Sequence, residues 1–162
     1  MPKLIEGTIS RLVLSGFLIS ALDQYTKYEV LRGIRHGDEF AIIPGFFNLV
    51  LTYNYGAAFG LFATFDQPIR GILLGLTTAL ALAVVSYFLI REYYADRIGQ
   101  LALGMILGGA IGNIIDRLRL GKVVDFLDVY LGQHHWPAFN IADSAICIGV
   151  VLLLCRRGVL KE

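Results

Sequence analysis

The segment Gly71–Ile90, GILLGLTTALALAVVSYFLI, contains no charged residue over 20 positions. A helix of this length, at a rise of about 1.5 Å per residue, covers the hydrocarbon core of a bilayer, which is roughly 30 Å thick. Ile98–Ile115 is a second uncharged run, of 18 residues, and Ala138–Cys155 is a third run that only Asp143 interrupts. These runs predict a protein of membrane-spanning helices.

The composition also indicates a membrane environment. Of 162 residues, 56% are apolar and 17% are charged, and the mean hydropathy is +0.66. Typical soluble domains are about 45–50% apolar and about 25% charged. The net charge of +1 provides no strong basic field, so no nucleic-acid partner is expected.

The first span is less apolar than the others. Leu12–Leu31 includes Asp23 and Lys27, which have the i, i+4 spacing of an intrahelical salt bridge. Lys3 and Arg11 precede the apolar run, as in a signal peptide, but no small-x-small cleavage site follows, and three later spans favour a retained helix. We therefore expect a single domain, residues 1–162, with four spans at about 12–31, 71–90, 98–115 and 138–155.

Basic residues do not fix the orientation of these spans. The positive-inside rule places the more basic loops in the cytoplasm. The 14 Lys and Arg residues divide evenly between the side that holds the termini and the opposite side. Charge alone therefore leaves the orientation open.

The loop after the first span has a strand pattern. From Phe47 to Tyr55 apolar residues occupy every second position, which is typical of a half-buried strand. Phe40–Ile43 is expected to pair with it across the turn-forming dipeptide Pro44-Gly45. We predict a small sheet at the membrane surface, followed by the small-residue stretch Gly56–Gly60.

Small residues mark the third and fourth spans. Gly104, Gly108 and Gly112 recur every four residues, so they line one helical face and permit close approach of another helix. Cys147 and Cys155, eight positions apart on one helix, are too distant to form a disulfide. We expect them to pack as small apolar residues.

An acid inside a membrane span is a candidate functional residue, because burying a charge there is costly. Asp143 lies five residues into the predicted fourth span, about 7 Å along its axis, and Asn140 shares its helical face. Asp125 stands among apolar neighbours in Gly121–Phe126. Two carboxylates within about 3 Å share one proton, so the ionised member can take a proton from water while the protonated member donates to a carbonyl oxygen.

Other polar residues have structural explanations. Asn113 and Asp116 share a face at the end of the third span, where Asp116 and Arg117 are expected to form a helix-end ion pair. His134 and His135 precede Trp136, a pattern more typical of a membrane interface than of a metal site. The sequence contains no GxSxG, HExxH or Walker motif.

Four motifs together resemble those of the bacterial lipoprotein signal peptidases, also called signal peptidase II. In order and spacing they are Asn54–Phe59 (NYGAAF), Gly112–Arg117 (GNIIDR), Gly121–Phe126 (GKVVDF) and Phe139–Ser144 (FNIADS). Each is weak alone, but the combination spans nearly the whole chain and is specific.

The resemblance implies an aspartyl endopeptidase of the bacterial inner membrane that cuts diacylglyceryl-modified prolipoproteins before the lipidated cysteine. It implies no metal and no other cofactor, a site at the periplasmic face, cytoplasmic termini, a phospholipid bilayer as surroundings, and inhibition by compounds such as globomycin. Asp125 and Asp143 match the catalytic pair. The matching supporting residues are Asn54, Gly108, Asn113, Asp116, Arg117, Asn140, Ala142, Asp23 and Lys27.

The expected fold is accordingly membrane α-helical, with four transmembrane helices, a small extracytoplasmic β-sheet, and a loop or helix at the membrane surface. The extracytoplasmic segments are expected at about 32–70 and 117–137. A monomer is the default expectation.

Two other functions use the same acids. A transporter would employ Asp143, Asp116 and Asp23 as a proton relay between spans. A lipid-headgroup phosphotransferase would use Asp116, Asp125 and Asp128 as Mg²⁺ ligands. Solute movement in liposomes would identify the first function, and sensitivity to EDTA would identify the second.

Overall fold

The computed structural model describes residues 2–56, 64, 66–93 and 95–159. Within them the chain forms four long helices and a small sheet. The elements, in chain order, are α1 (Pro2–Gly33), β1 (Glu39–Ile43), β2 (Phe47–Asn54), α2 (Gln67–Arg91), α3 (Arg97–Leu120), β3 (Val123–Leu131), β4 (His134–His135) and α4 (Ile141–Val159).

The four helices lie where the four spans were predicted, but their ends differ. By length and composition, α3 is the one helix in the described part of the chain that is long and apolar enough to cross a membrane. Helix α1 extends beyond the predicted span at both ends. Helix α4 begins only at Ile141, because Phe139 pairs through its backbone with Leu127 of β3 and holds the preceding segment extended.

The sheet has four antiparallel strands in the order β1-β2-β3-β4. The predicted hairpin of β1 and β2 across Pro44-Gly45 is confirmed. The third loop, for which no strand was predicted, contains β3 and β4. A register shift between Leu49 and Thr52 breaks the simple alternation of β2. Asn48, which precedes the shift, is fully buried opposite Asp128 of β3.

Helix α3 is the centre of the bundle and contacts both α1 and α4. The predicted glycine face is confirmed: a Cβ on Gly108 would collide with the backbone of Gly16 in α1, and a Cβ on Gly112 would collide with the carboxylate of Asp23. On its other side, Gly109 approaches the carbonyl oxygen of Ala142 in α4. These contacts bring α1, α3 and α4 together at one end of the bundle.

An apolar cluster fixes the sheet on that end. Val30 near the end of α1 packs with Leu51 of β2 and with Val124 and Phe126 of β3, and all four are buried. Helix α3 stops directly before β3, because Gly121 adopts a left-handed backbone conformation with φ 70° and donates its N–H to Arg117 O. This turn places β3 against the ends of the helices. Of the predicted small-residue stretch only Gly56 is described, and residues 57–60 lie outside the described part.

Candidate functional site

Asp125 enters the site from β3. Its side chain is 2% exposed, and Oδ1 accepts a hydrogen bond from Asn140 Nδ2 at 2.6 Å. Asn54 of β2 supplies a second side-chain hydrogen bond. Burial, reinforced by the charge of Asp143, raises the pKa of Asp125 to about 7. Asp125 can therefore carry a proton near neutral pH.

Asp143 enters from α4. It lies in the first turn of that helix and not 7 Å inside it, since α4 begins at Ile141. Asn140 is not on the helical face but directly precedes the helix, where its Oδ1 accepts the N–H of Asp143 at 2.9 Å as a helix N-cap. Asp143 Oδ1 accepts from Asn113 Nδ2 of α3 at 2.8 Å.

Two amides connect the acids. Asn140 Nδ2 donates to Asp125 and lies 3.3 Å from Asn113 Oδ1, while Asn113 Nδ2 donates to Asp143. Within the described part of the chain, no hydrogen bond joins the two carboxylates directly. In each carboxylate one oxygen, Oδ1, accepts from one of these two amides.

A buried cation organises the end of the bundle beneath these amides. Lys27 of α1 is 2% exposed, and Nζ lies 2.9 Å from Asp23 Oδ2, 2.9 Å from Asp116 Oδ2 and 3.0 Å from Asn113 Oδ1. The predicted Asp23–Lys27 pair is confirmed. The predicted Asp116–Arg117 pair is wrong, because the Asp116 carboxylate turns toward the buried Lys27 and also accepts the N–H of Val124 at 3.0 Å.

Asp23 also holds the start of α4. Its Oδ1 accepts the N–H of Ala142 at 2.9 Å, and Ala142 is completely buried. Gln24, which sequence analysis missed, donates to Gly112 O at 3.1 Å and to Asp116 Oδ1 at 2.9 Å. The one indication in the sequence was that Gln24 directly follows Asp23, a candidate site residue.

Arg117 extends toward the segment after β2. Its Nη2 donates to Gly56 O at 2.9 Å and its Nη1 to Asn113 O at 3.4 Å. Nε is buried and has no hydrogen-bond partner among the residues that the structure describes. A buried donor without a partner is costly. The Arg117 side chain lines the cavity beside Asp143, and its positive charge acts on both Asp143 and Asp125.

A cavity of about 580 Å³, within the usual size range of ligand sites, is lined by Asp143, whereas Asp125 lies behind its lining residues Asn54 and Asn113 and is not part of the wall. Its wall is largely apolar and comes from α2, α3, α4 and the segment that follows β4. Asn54, Asn113, Arg117 and Asp143 contribute polar groups to the lining. Gly108, by contrast, is engaged in the contact with α1. The lining residues include Leu74, Ala81, Ala110, Val123, Trp136, Phe139, Ile146 and Cys147.

Three predicted features lie elsewhere. Asp128 is three residues beyond Asp125 on β3, so it points to the opposite face, and it contacts Asn48 and His135. The three Mg²⁺ ligands of the phosphotransferase hypothesis therefore do not converge, and the described residues contain no group of three metal-binding side chains. Both cysteines are free, but they are exposed and do not pack in the core.

The fold is that of a bacterial membrane enzyme. Two solved structures that are described as bacterial membrane enzymes superpose on the chain. The first has a TM-score of 0.79 and 34% identity, and the match covers 94% of this chain and 89% of the other. The second has a TM-score of 0.77 and 33% identity, and the match covers 91% of this chain and 92% of the other. These structures share the arrangement of helices and sheet described above.

The chain belongs to the signal peptidase II family, because the family model described as "Signal peptidase (SPase) II" matches residues 16–157. It is 46% identical over 147 residues to the lipoprotein signal peptidase of Syntrophotalea carbinolica, which covers 90% of this chain and 89% of the relative. It is 49% identical over 139 residues to that of Ralstonia nicotianae, covering 86% and 79%.

Proposed function

We propose that this protein is a membrane aspartyl endopeptidase that removes the signal peptide from diacylglyceryl-modified prolipoproteins, cutting before the lipidated cysteine. The observation that carries the proposal is a pair of acids, buried Asp125 and half-buried Asp143, which the side chains of Asn140 and Asn113 connect. Asp143 lines a largely apolar cavity. The family membership of the chain supports the substrate class.

The two acids have different roles in the reaction. Asp143 is ionised and takes a proton from a water molecule, whose oxygen attacks the carbonyl carbon of the scissile peptide bond. Asp125, whose pKa is raised to about 7, donates its proton to the carbonyl oxygen. The C–N bond then breaks, the leaving amine takes the proton from Asp143, and Asp125 recovers a proton from the diol intermediate.

Polar neighbours keep the acids in these roles. Asn113 stabilises ionised Asp143 through its Nδ2 donor, and Lys27 holds the oxygen of the same amide. Arg117 places its positive charge in the cavity wall beside the acids. The apolar wall accepts the signal peptide and the acyl chains. No metal or other cofactor takes part.

The proposed membrane arrangement follows from the same substrate. The four helices span the bacterial inner membrane with both termini in the cytoplasm, and the sheet lies at the periplasmic face, where a lipid-anchored precursor is accessible from the bilayer. Asn54, Asp116, Asn140 and Ala142 support the site at that face. The protein acts as a monomer, and globomycin occupies the cavity beside the two acids.

The lipid requirement is the sharpest test of the substrate class. Purified protein in detergent is given the same precursor in two forms, with and without the diacylglyceryl group on its cysteine. We expect cleavage of the modified form alone, with mass spectrometry locating the lipidated cysteine at the new N-terminus. Equal cleavage of both forms would contradict the proposed specificity.

A further inference from the structure

A chain of polar contacts crosses the sheet with one residue from each strand. Asn48 Nδ2 of β2 donates to Glu39 of β1 and, at 3.0 Å, to Asp128 Oδ2 of β3. His135 Nδ1 of β4 lies 2.9 Å from Asp128 Oδ1. We call these four residues, Glu39, Asn48, Asp128 and His135, the polar ladder.

The polar ladder is built into the sheet and is not a chance surface contact. Asn48 is fully buried and Asp128 is 6% exposed. A buried carboxylate requires donors, and Asp128 obtains them from two different strands. Because an ionised carboxylate only accepts hydrogen bonds, Nδ1 of His135 carries the hydrogen and donates it. Tyr130 stacks on the His135 ring at 4.7 Å and fixes its plane.

The last member of the ladder begins the segment that completes the candidate site. Strand β4 has only two residues, and five positions after His135 the chain reaches Asn140, which donates to Asp125 and caps α4 at Asp143. Within this segment, Pro137 has no N–H with which to pair. Backbone hydrogen bonds join Trp136 N–H to Val129 O and Phe139 N–H to Leu127 O, and the side-chain bond from His135 to Asp128 adds a further tie at the start of this segment.

The contacts close a ring. It runs from Asp125 along β3 to Asp128, across the 2.9 Å contact to His135, along the chain to Asn140, and back to Asp125 through the 2.6 Å hydrogen bond. We propose that His135 is a positioning residue, which acts through Asp128 to hold the Trp136–Asn140 segment so that Asn140 stays bonded to Asp125. The inference rests on the proposed peptidase function.

The ring makes a prediction for the pH profile of cleavage. Burial and the charge of Asp143 raise the pKa of Asp125, whereas the hydrogen bond from Asn140 lowers it. The cations that interact electrostatically with this acid are Lys27 and Arg117. When Asn140 is displaced, the ionised form of Asp125 loses a donor. The alkaline limb of the profile then moves to higher pH, by about half a pH unit for a weakened bond.

Three substitutions of His135 separate the effect of the position of its hydrogen-bond donor from the effect of its charge. His135→Ala removes the tie, His135→Asn places a neutral amide donor near the Nδ1 position, and His135→Gln carries the same amide one carbon farther out. His134→Ala is the matched control, because His134 is the exposed neighbour in the same strand. Circular dichroism and thermal unfolding of each variant verify the fold, which the half-exposed His135 side chain makes tolerant of change.

The experiment measures kcat, KM and the pH profile on a diacylglyceryl-modified prolipoprotein. We expect kcat of His135→Ala to fall about tenfold with the alkaline limb shifted upward, His135→Asn to restore both, His135→Gln to restore them less, and His134→Ala to match the wild type. Unchanged kinetics of His135→Ala, or no better recovery with Asn than with Gln, would overturn the inference. Inactive wild-type protein would instead refute the proposed function.

Discussion

Asn140 Nδ2 lies 2.6 Å from Asp125 Oδ1, and the Oδ1 atom of the same side chain accepts the N–H of Asp143 at 2.9 Å. One amide therefore holds the acid of β3 and caps the helix that carries the other acid. The spacing of the two carboxylates depends on this side chain and on Asn113, not on a hydrogen bond between the acids.

Loss of the Asn113 amide should lower the rate without removing the acids. Asn113→Ala deletes the donor to Asp143 and one acceptor of Lys27. Because a hydrogen bond to a charged group is worth about 1.5–3 kcal/mol, we expect kcat to fall on the order of 10- to 100-fold. Steady-state cleavage assays measure the change. Thr26→Ala, which removes a hydroxyl that bonds only carbonyl oxygens of its own helix, is the control and should retain near-normal kcat.

The buried charge of Asp125 should make stability depend on pH. Burial raises the pKa of Asp125 to about 7, so the folded protein holds this proton more tightly than the unfolded chain does. The ionised carboxylate therefore lowers stability, starting above about pH 4 and fully above about pH 7, by up to roughly 4 kcal/mol.

Asp125→Asn removes that cost, since the amide oxygen still accepts from Asn140. We expect the Tm of the variant to exceed that of the wild type at pH 8 and the difference to vanish near pH 4. Thermal unfolding in detergent across this range measures it. A constant difference at all pH values would show that ionisation of Asp125 is not the cause.

The buried cation should be essential to the bundle. Lys27→Met leaves Asp23 and Asp116 buried without their common counter-charge. Breaking a buried ion pair from one side costs about 3–5 kcal/mol, so we expect a large fall in Tm and in yield. Lys122→Met is the matched control, because Lys122 is a partly exposed residue that contacts the ring of Tyr53, and its loss should cost less than about 1 kcal/mol.

Close packing of α1 against α3 should make the stability of the protein sensitive to added side-chain volume. Gly108→Ala forces a methyl group into the backbone of Gly16, and we expect destabilisation of at least about 2 kcal/mol. Gly33→Ala, which meets no atom within 4 Å, should leave stability unchanged or slightly raised. Equal Tm values for the two variants would contradict the packing described for α1 and α3.

Local pattern predicted the helices and the first hairpin well, because uncharged runs and the Pro44-Gly45 turn act over short distances. Strand β3 was missed, although its β-branched and aromatic residues between Gly121 and Gly132 are typical of a strand. Its two acids obscured the pattern.

Contacts between distant parts of the chain could not be predicted from local sequence patterns. The sequence predicted the pair formed by Asp23 and Lys27 but not its third member, Asp116, which lies 89 positions after Lys27. Likewise, nothing near Asn48 in the sequence indicates that Asp128 will lie opposite it and that its polar side chain will be buried. Burial of a polar group is decided by its partner, which only the fold supplies.

The catalytic roles of Asp125 and Asp143 are tested by comparing wild type, Asp125→Asn and Asp143→Asn side by side on a diacylglyceryl-modified prolipoprotein in EDTA. We expect cleavage by the wild type alone, with both variants folded and inserted in the membrane. Substantial cleavage by either variant, or loss of wild-type activity in EDTA, would contradict a metal-free mechanism that uses both acids.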